Sequence, residues 1–162
     1  MSLLPEGYPN DARAALAILN ARERLGIDDL KVLALIELSG ESAYFALGQA
    51  AGNDEARALL ERNGQEERGH AHRLLKAISL LGGSFELPTP EANPFYRPPV
   101  KMDGLGENML KGMEMAEMDG DVHYKAWADA EPNPDVAKIY RQNASEEWRH
   151  AERVAQVKAL LQ

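Results

Sequence analysis

The chain contains no cysteine among its 162 residues. This absence excludes disulfides, thiolate zinc sites, iron–sulfur clusters and a cysteine nucleophile. Basic charge is also scarce, because 18 basic side chains face 26 acidic ones and the net charge is -8. Such acidity argues against a nucleic-acid backbone or an anionic membrane as the main partner. It is compatible with the binding of cations.

Long apolar runs are lacking as well. The N-terminal segment carries Pro5, Gly7 and Pro9, with no basic region followed by an apolar run that would indicate a signal peptide. The longest uncharged stretch, Ser42–Asn53, is much shorter than the roughly 18 residues that a membrane-spanning helix needs. We therefore expect a cytoplasmic protein that has neither membrane nor nucleic acid as a partner.

Glycine and proline divide the chain into helical segments. Five of the nine prolines lie within residues 82–106, together with Phe85, Phe95 and Tyr96. We interpret this stretch as a long connection that its aromatic residues attach to the surface of the fold. Elsewhere, helical composition and capping residues (Asn10 or Asp11, Asn53, Asn133) indicate five helices. Their predicted ranges are 11–25, 29–51, 54–81, 105–130 and 134–161.

The sequence contains an internal duplication. A shift of 80 residues aligns positions 28–81 with 108–161 without a gap, and 16 of these 54 positions are identical. Each copy holds two long helices with a short loop, so each copy is predicted to be an antiparallel hairpin. Two such hairpins packed together form an all-α four-helix bundle. We predict one domain, with an N-terminal extension (1–27), a first hairpin (28–81), a crossover (82–106) and a second hairpin (107–162).

Charged residues lie on the apolar faces of these helices. Glu67 and His70 are one turn apart in one helix, and Glu147 and His150 repeat the pair in another. The remaining two long helices contribute four carboxylates to such faces: Glu37, Glu41, Glu117 and Asp121. A buried charge must be paired or bound to metal. Six carboxylates and two imidazoles therefore predict a pair of divalent ions, with iron or manganese suited to this mixture of ligands.

The register along the helices suggests individual roles. We assign Glu67 and Glu147 as bridges between the two ions, and Glu41 and Asp121 as terminal ligands. Mixed sites of this kind combine bridging and terminal carboxylates with one imidazole per ion. The two histidines, His70 and His150, each supply one nitrogen.

Other matched residues surround this set. Glu37 and Glu117 are interpreted as partners of the histidines, with a ligand role as the alternative. Tyr44 and Tyr124 are candidates for a redox or hydrogen-bonding role, although core tyrosines with a satisfied hydroxyl are the favoured interpretation. Two further matched glutamates lie about 100° away from the ligand face and are expected to form salt links that face solvent: Glu66 and Glu146.

This pattern resembles the ferritin-like superfamily and, within it, the rubrerythrins. The stretch Ser39–Ala43 is similar to the rubrerythrin motif of the first long helix, Glu66–Ala71 to that of the second, and Gly120–Asp121 stands where the third carries a Gly-Glu pair. The resemblance implies a ferritin-like bundle with a long crossover. The ligands that it implies are Glu41, Glu67, His70, Asp121, Glu147 and His150.

Three departures from the rubrerythrin pattern change what we expect. Asp121 is one methylene shorter than glutamate, so the two metal positions should be inequivalent. Tyr124 occupies the place of a further rubrerythrin glutamate, which questions the redox-linked ligand exchange of that family. Because cysteine is absent, no rubredoxin-like electron-transfer domain is expected, and reducing electrons would come from an external donor.

The resemblance implies a di-iron oxidoreductase that reduces peroxide or oxidises Fe(II) with dioxygen. Four alternatives stay open: a dimanganese catalase-like enzyme, an iron-binding protein without turnover, a hydroxylase of an organic substrate, and a structural bundle without metal. A hydroxylase would need an access pocket. We also expect a homodimer, because the apolar face of the 11–25 helix must be buried on the bundle or on a second subunit.

Overall fold

The computed structural model describes residues 2–162. Five α-helices and one 3₁₀ turn form this part of the chain: α1 (Ala12–Asn20), α2 (Ile27–Ala50), α3 (Asp54–Leu80), the 3₁₀ turn (Pro90–Ala92), α4 (Glu107–Ala130) and α5 (Pro134–Leu160). No strand occurs within residues 2–162. The all-α prediction is therefore confirmed, and the four long helices lie within two residues of their predicted bounds.

The first helix is shorter than predicted, because it ends at Asn20 and not near residue 25. The indole Nε1 of Trp127 donates a hydrogen bond to the carbonyl of Arg22, at 3.1 Å. A continuing helix would need that carbonyl for its own ladder. The chain instead leaves the helix, and Leu25 turns into the core, where it is buried.

Side-chain caps begin three of the helices as the sequence predicts. Asp11 accepts a hydrogen bond from the amide of Ala14 at 2.8 Å, and Asn53 accepts one from Ala56 at 2.9 Å. Asn133 accepts two, from the first turn of α5. Only three residues separate α2 from α3 and α4 from α5, so the helices of each hairpin are antiparallel neighbours.

The backbones of the two hairpins approach most closely at α3 and α5, whereas α2 and α4 meet through long side chains, with Tyr44 bonded to Glu117 and Tyr124 to Glu37. Buried apolar residues form two clusters along the bundle. One contains Leu19, Leu30 and Tyr140, and the other contains Leu60 and Val154. Along α3 and α5, the buried polar residues lie between the residues of one apolar cluster and those of the other. A polar layer therefore divides the core.

The crossover and α1 both pack on α2. The side-chain amide of Asn93 donates to the carbonyl of Leu35 at 2.8 Å, and Phe95 is buried beside it. Ala15 and Leu19 of α1 are fully buried on the bundle. The aromatic attachment of the crossover is thus confirmed, and α1 covers its apolar face on its own chain. No helix described here is long and apolar enough to span a membrane.

The caps provide a test of this fold. Replacing Asn53 with alanine removes the acceptor for the Ala56 amide, so the free energy of unfolding should fall by about 1 kcal/mol. Chemical denaturation of the metal-free protein measures this change. Asn108→Ala, at an exposed position in the first turn of α4, should change stability by less than about 0.5 kcal/mol. Equal losses in both variants would contradict the capping role.

Candidate metal centre

Two histidines face each other at the middle of the bundle. His70 of α3 and His150 of α5 are both fully buried. Their rings are stacked, with centroids 5.2 Å apart and planes inclined by 16°. Nδ1 of each ring has no hydrogen-bond partner among residues 2–162. Two unpartnered nitrogens at one place in a core point to an absent ligand for them.

Carboxylates surround Nδ1 of His70. This nitrogen lies 3.6 Å from Oε2 of Glu37, 3.5 Å from Oε2 of Glu67 and 3.4 Å from Oε1 of Glu147. The four residues form one group whose ligand atoms all lie within 4.8 Å of one another. They come from α2, α3 and α5.

A second group surrounds Nδ1 of His150. This nitrogen lies 3.4 Å from Oε1 of Glu67, 3.6 Å from Oε2 of Glu117 and 3.7 Å from Oε2 of Glu147. Glu67 and Glu147 belong to both groups. Each of them turns one oxygen towards each histidine. A carboxylate with its oxygens directed to two different sites has the orientation of a bridging ligand.

The donors present fit a pair of divalent ions. Oε2 of Glu67 is buried without a partner, like Nδ1 of both histidines. Such atoms cost free energy unless something binds them. The two groups together hold four carboxylates, whose formal charge equals in size that of two divalent cations. Imidazole and carboxylate ligands together suit iron or manganese.

Glutamates of the opposite hairpin orient the imidazoles. Nε2 of His70 donates to Glu146 at 3.0 Å, and Nε2 of His150 donates to Glu66 at 3.1 Å. Arg73 and Arg153 hold these two glutamates in turn. A carboxylate on the remote nitrogen fixes the ring and leaves the near nitrogen for a metal.

The salt links expected of Glu66 and Glu146 are present, with Arg153 and Arg73, but the expectation that they face solvent is wrong, because each carboxylate lies against a histidine. The angle around a single helix places them off the ligand face, but α3 and α5 pack so closely that each reaches the histidine of the other helix. The sequence did contain a signal for this arrangement. Both copies of the duplication repeat an arginine (Arg73 and Arg153) as well as the glutamate, and a repeated pair of opposite charges indicates a structural contact.

The two tyrosines also link one hairpin to the other. The hydroxyl of Tyr44 donates to Glu117, and that of Tyr124 donates to Glu37. Asn143 in turn donates to the hydroxyl of Tyr124 at 3.2 Å. Each tyrosine therefore holds a carboxylate that belongs to only one of the two groups: Glu117 in the group around His150, and Glu37 in the group around His70.

The structure places two pairs of carboxylates differently from the predicted ligand set. Glu37 and Glu117, interpreted as partners behind the histidines, lie in the two groups found within residues 2–162, whereas Glu41 and Asp121 lie outside them. The ligand roles of all four carboxylates stay predictions. Glu41 accepts from Arg68 at 3.0 Å. Residues four apart share a helix face but lie about 6 Å apart along the axis. The packing register brings the first member of each pair level with the histidines.

Asp121 keeps a place near the centre without joining it. It is buried and accepts a hydrogen bond from Lys125 at 2.7 Å, while its other oxygen, Oδ1, has no partner. Its shorter side chain distinguishes it from Glu41 at the matched position, where the carboxylate pairs with Arg68. The two halves of the centre are therefore similar but not identical.

Two glycines make room for the shared glutamates. A Cβ added to Gly40 would lie 3.2 Å from Cδ of Glu67, and one added to Gly120 would lie 3.2 Å from Cδ of Glu147. Glycine inside a helix costs roughly 1 kcal/mol relative to alanine. The matched glycines of the duplication are thus explained by the close approach of a carboxylate.

Without metal, the centre retains protons. Burial lowers the pKa of His150, but the neighbouring carboxylates of Glu117 and Glu66 outweigh it and raise the pKa to about 12. The pKa of His70 is likewise raised, because the neighbouring carboxylates of Glu146 and Glu147 oppose the effect of burial. Burial and the charge of Glu67 raise the pKa of Glu37 to about 7. Metal ions would replace these protons.

Comparison of the chain with protein-family models gives no match. A search of curated proteins gives no significant match either. The interpretation of the centre therefore depends on its geometry.

Removal of metal should make stability depend on pH. His150 has a pKa near 6.5 when unfolded and about 12 when folded, so its contribution is complete below 6.5 and is lost as pH rises towards 12. The melting temperature of chelated protein should therefore fall between pH 6.5 and pH 9. The melting temperature of metal-loaded protein should exceed that of chelated protein by a margin that grows as pH rises, because fewer protons then compete with the metal for the same atoms. If the melting temperatures of chelated and metal-loaded protein changed with pH in parallel, the proposed exchange of protons for metal would be contradicted.

A substitution of Gly120 separates helix stability from metal binding. Gly120→Ala favours the helix but presses on the carboxylate of Glu147, so metal affinity should fall by roughly tenfold while the metal-free protein keeps its stability. Gly112→Ala is the matched control, since a Cβ there meets nothing within 4 Å. It should leave metal affinity unchanged. Competition with a metal-binding dye measures both variants, and equal affinities would refute the packing argument.

Proposed function

We propose that this chain is a ferritin-like di-iron oxidoreductase, related to the rubrerythrins, that acts on peroxide or dioxygen. One observation carries the proposal. Glu67 and Glu147 each direct one carboxylate oxygen towards His70 and the other towards His150. This arrangement fits two adjacent ions that share two bridging carboxylates.

The groups around the histidines divide the other ligands between two positions. His70 and Glu37 would hold one ion, and His150 and Glu117 the other. Bound iron would supply reversible changes of oxidation state and open coordination positions for an oxidant. Asp121, which lies outside both groups, would stay a neighbour of the centre.

The residues of the chain prepare a rigid site of matched charge. Tyr44 and Tyr124 hold the terminal carboxylates by hydrogen bonds, while Glu66 and Glu146 fix the imidazole rings. Because these contacts exist without metal, little rearrangement is needed when ions bind. Apolar clusters lie on either side of the centre along the bundle, and this low-polarity surrounding strengthens its electrostatic interactions.

Peroxide reduction requires an electron source. Each hydrogen peroxide consumes two electrons and two protons and yields two waters. These 162 residues include no cysteine, so they offer no thiolate that could bind a redox centre. We therefore propose an external electron donor for the peroxidase reaction, whereas oxidation of Fe(II) supplies its own electrons.

The first experiment is metal loading followed by rapid mixing. Anaerobic titration with Fe(II) should saturate at two ions per chain, and less than one would refute every metal-binding interpretation. Stopped-flow absorbance then follows oxidation of the loaded protein by peroxide and, separately, by dioxygen. Oxidation no faster than that of free Fe(II) would refute the oxidoreductase. Oxygen release from peroxide by manganese-loaded protein would replace it with the catalase-like alternative.

The bridging assignment predicts a specific pattern of metal loss. Glu67→Ala should abolish binding of both ions, because its two oxygens face both histidines. Glu41→Ala is the matched control on the neighbouring helix, and it should retain both ions, since Glu41 pairs with Arg68 outside the ligand groups. Metal analysis after gel filtration measures the stoichiometry. Loss of a single ion from Glu67→Ala would contradict the bridge.

A further inference from the structure

A cleft leads from the surface to the carboxylates, between α2 and α4. Its volume is about 680 Å³, and Glu37, Glu67, Glu117 and Glu147 lie at its floor. Apolar residues from α1, α2 and α4 form the walls: Leu16, Leu33, Ile36, Met115, Ala116 and Trp127. Peroxide and dioxygen are far smaller than this space. Cavities of roughly 300–1,000 Å³ with apolar walls are typical of sites for organic molecules.

The duplication shows why the cleft is open along α4. Ile36 of α2 corresponds to Ala116 of α4, and Leu35 corresponds to Met115. Leu35 is fully buried, whereas Met115 is 57% exposed. The second hairpin therefore presents an exposed methionine and a small alanine to the cleft, whereas Leu35 of the first hairpin packs into the core.

The charges of the lining favour one orientation of a ligand. The floor carries four carboxylates, which two divalent ions would at best neutralise. Arg13 of α1 also lines the cleft, is exposed, and makes no ion pair within residues 2–162. An anionic group is therefore repelled from the floor of the metal-free site and attracted to Arg13.

We propose that the cleft binds an aliphatic carboxylate of medium chain length, with its chain along the apolar walls and its carboxylate at Arg13. The proposal rests on the proposed function in one respect, because the same residues form the cleft floor and the metal centre. It names an organic ligand, in addition to an oxidant, for that site.

Tryptophan fluorescence can report on binding directly. The chain has two tryptophans, of which Trp127 lines the cleft and Trp148 lies exposed elsewhere. In Trp148→Phe protein, decanoate should produce a saturable change in the emission of Trp127, with and without bound metal. Isothermal titration of the unmodified chain gives the affinity. No saturable binding at millimolar decanoate would overturn the proposal.

Variants distinguish this site from adventitious binding. Ala116→Leu narrows the cleft and should weaken decanoate and decanol alike, by at least roughly tenfold. Arg13→Gln should weaken decanoate by about threefold and leave decanol unchanged, since only decanoate carries a charge. Arg149→Gln, an exposed arginine of α5 away from the cleft, should change neither. Unchanged affinity in Ala116→Leu would overturn the proposal.

Parallel metal titrations separate this proposal from the proposed function. Protein that binds decanoate but takes up no Fe(II) would refute the di-iron centre and support the cleft as a ligand site. Protein that takes up both ions but does not bind decanoate would refute only the cleft proposal. Sedimentation velocity measures the oligomeric state of the same samples. A dimer that does not bind decanoate would show that a second copy covers the cleft, and it would overturn the proposal.

Discussion

Four carboxylates from four different helices lie together in the core, and their mutual repulsion has to be balanced. Glu67 and Glu147 are buried on α3 and α5, and Glu37 and Glu117 approach them from α2 and α4. In the metal-free protein, the surrounding carboxylates raise the pKa values of both histidines, so that protons on the rings provide positive charge. Divalent cations would provide it more completely, because they also satisfy Nδ1 of both rings.

Each hairpin supplies the hydrogen bonds that hold the histidine and carboxylate of the other hairpin in place. His70 of the first hairpin is oriented by Glu146 of the second, and Tyr44 holds Glu117. The same exchange occurs in reverse for His150 and Glu66. Neither hairpin alone could orient its histidine, so docking of α3 on α5 assembles the site as a unit. Such crossed contacts link the metal centre to the stability of the bundle.

The duplication was visible in the sequence, and it predicted much of this arrangement. Two Glu-x-x-His pairs at a separation of 80 residues identified both histidines and both shared glutamates. The sequence favoured Glu41 over Glu37 as a ligand, although both lie on the same face of α2 and periodicity alone does not separate them. Helical periodicity specifies direction around an axis, whereas height along the axis depends on how neighbouring helices pack. That height brings Glu37, and not Glu41, level with His70.

The sequence by itself determined the helices, their caps, the antiparallel hairpins and the presence of buried carboxylates and histidines, because these follow from local periodicity and short loops. Only the tertiary structure decided which carboxylates join the two groups, and that Glu66 and Glu146 reach across the bundle. It also decided that a cleft between α2 and α4 reaches the buried carboxylates. These features depend on distances between residues far apart in the chain. Such distances are set by side-chain packing between helices, which no single helix encodes.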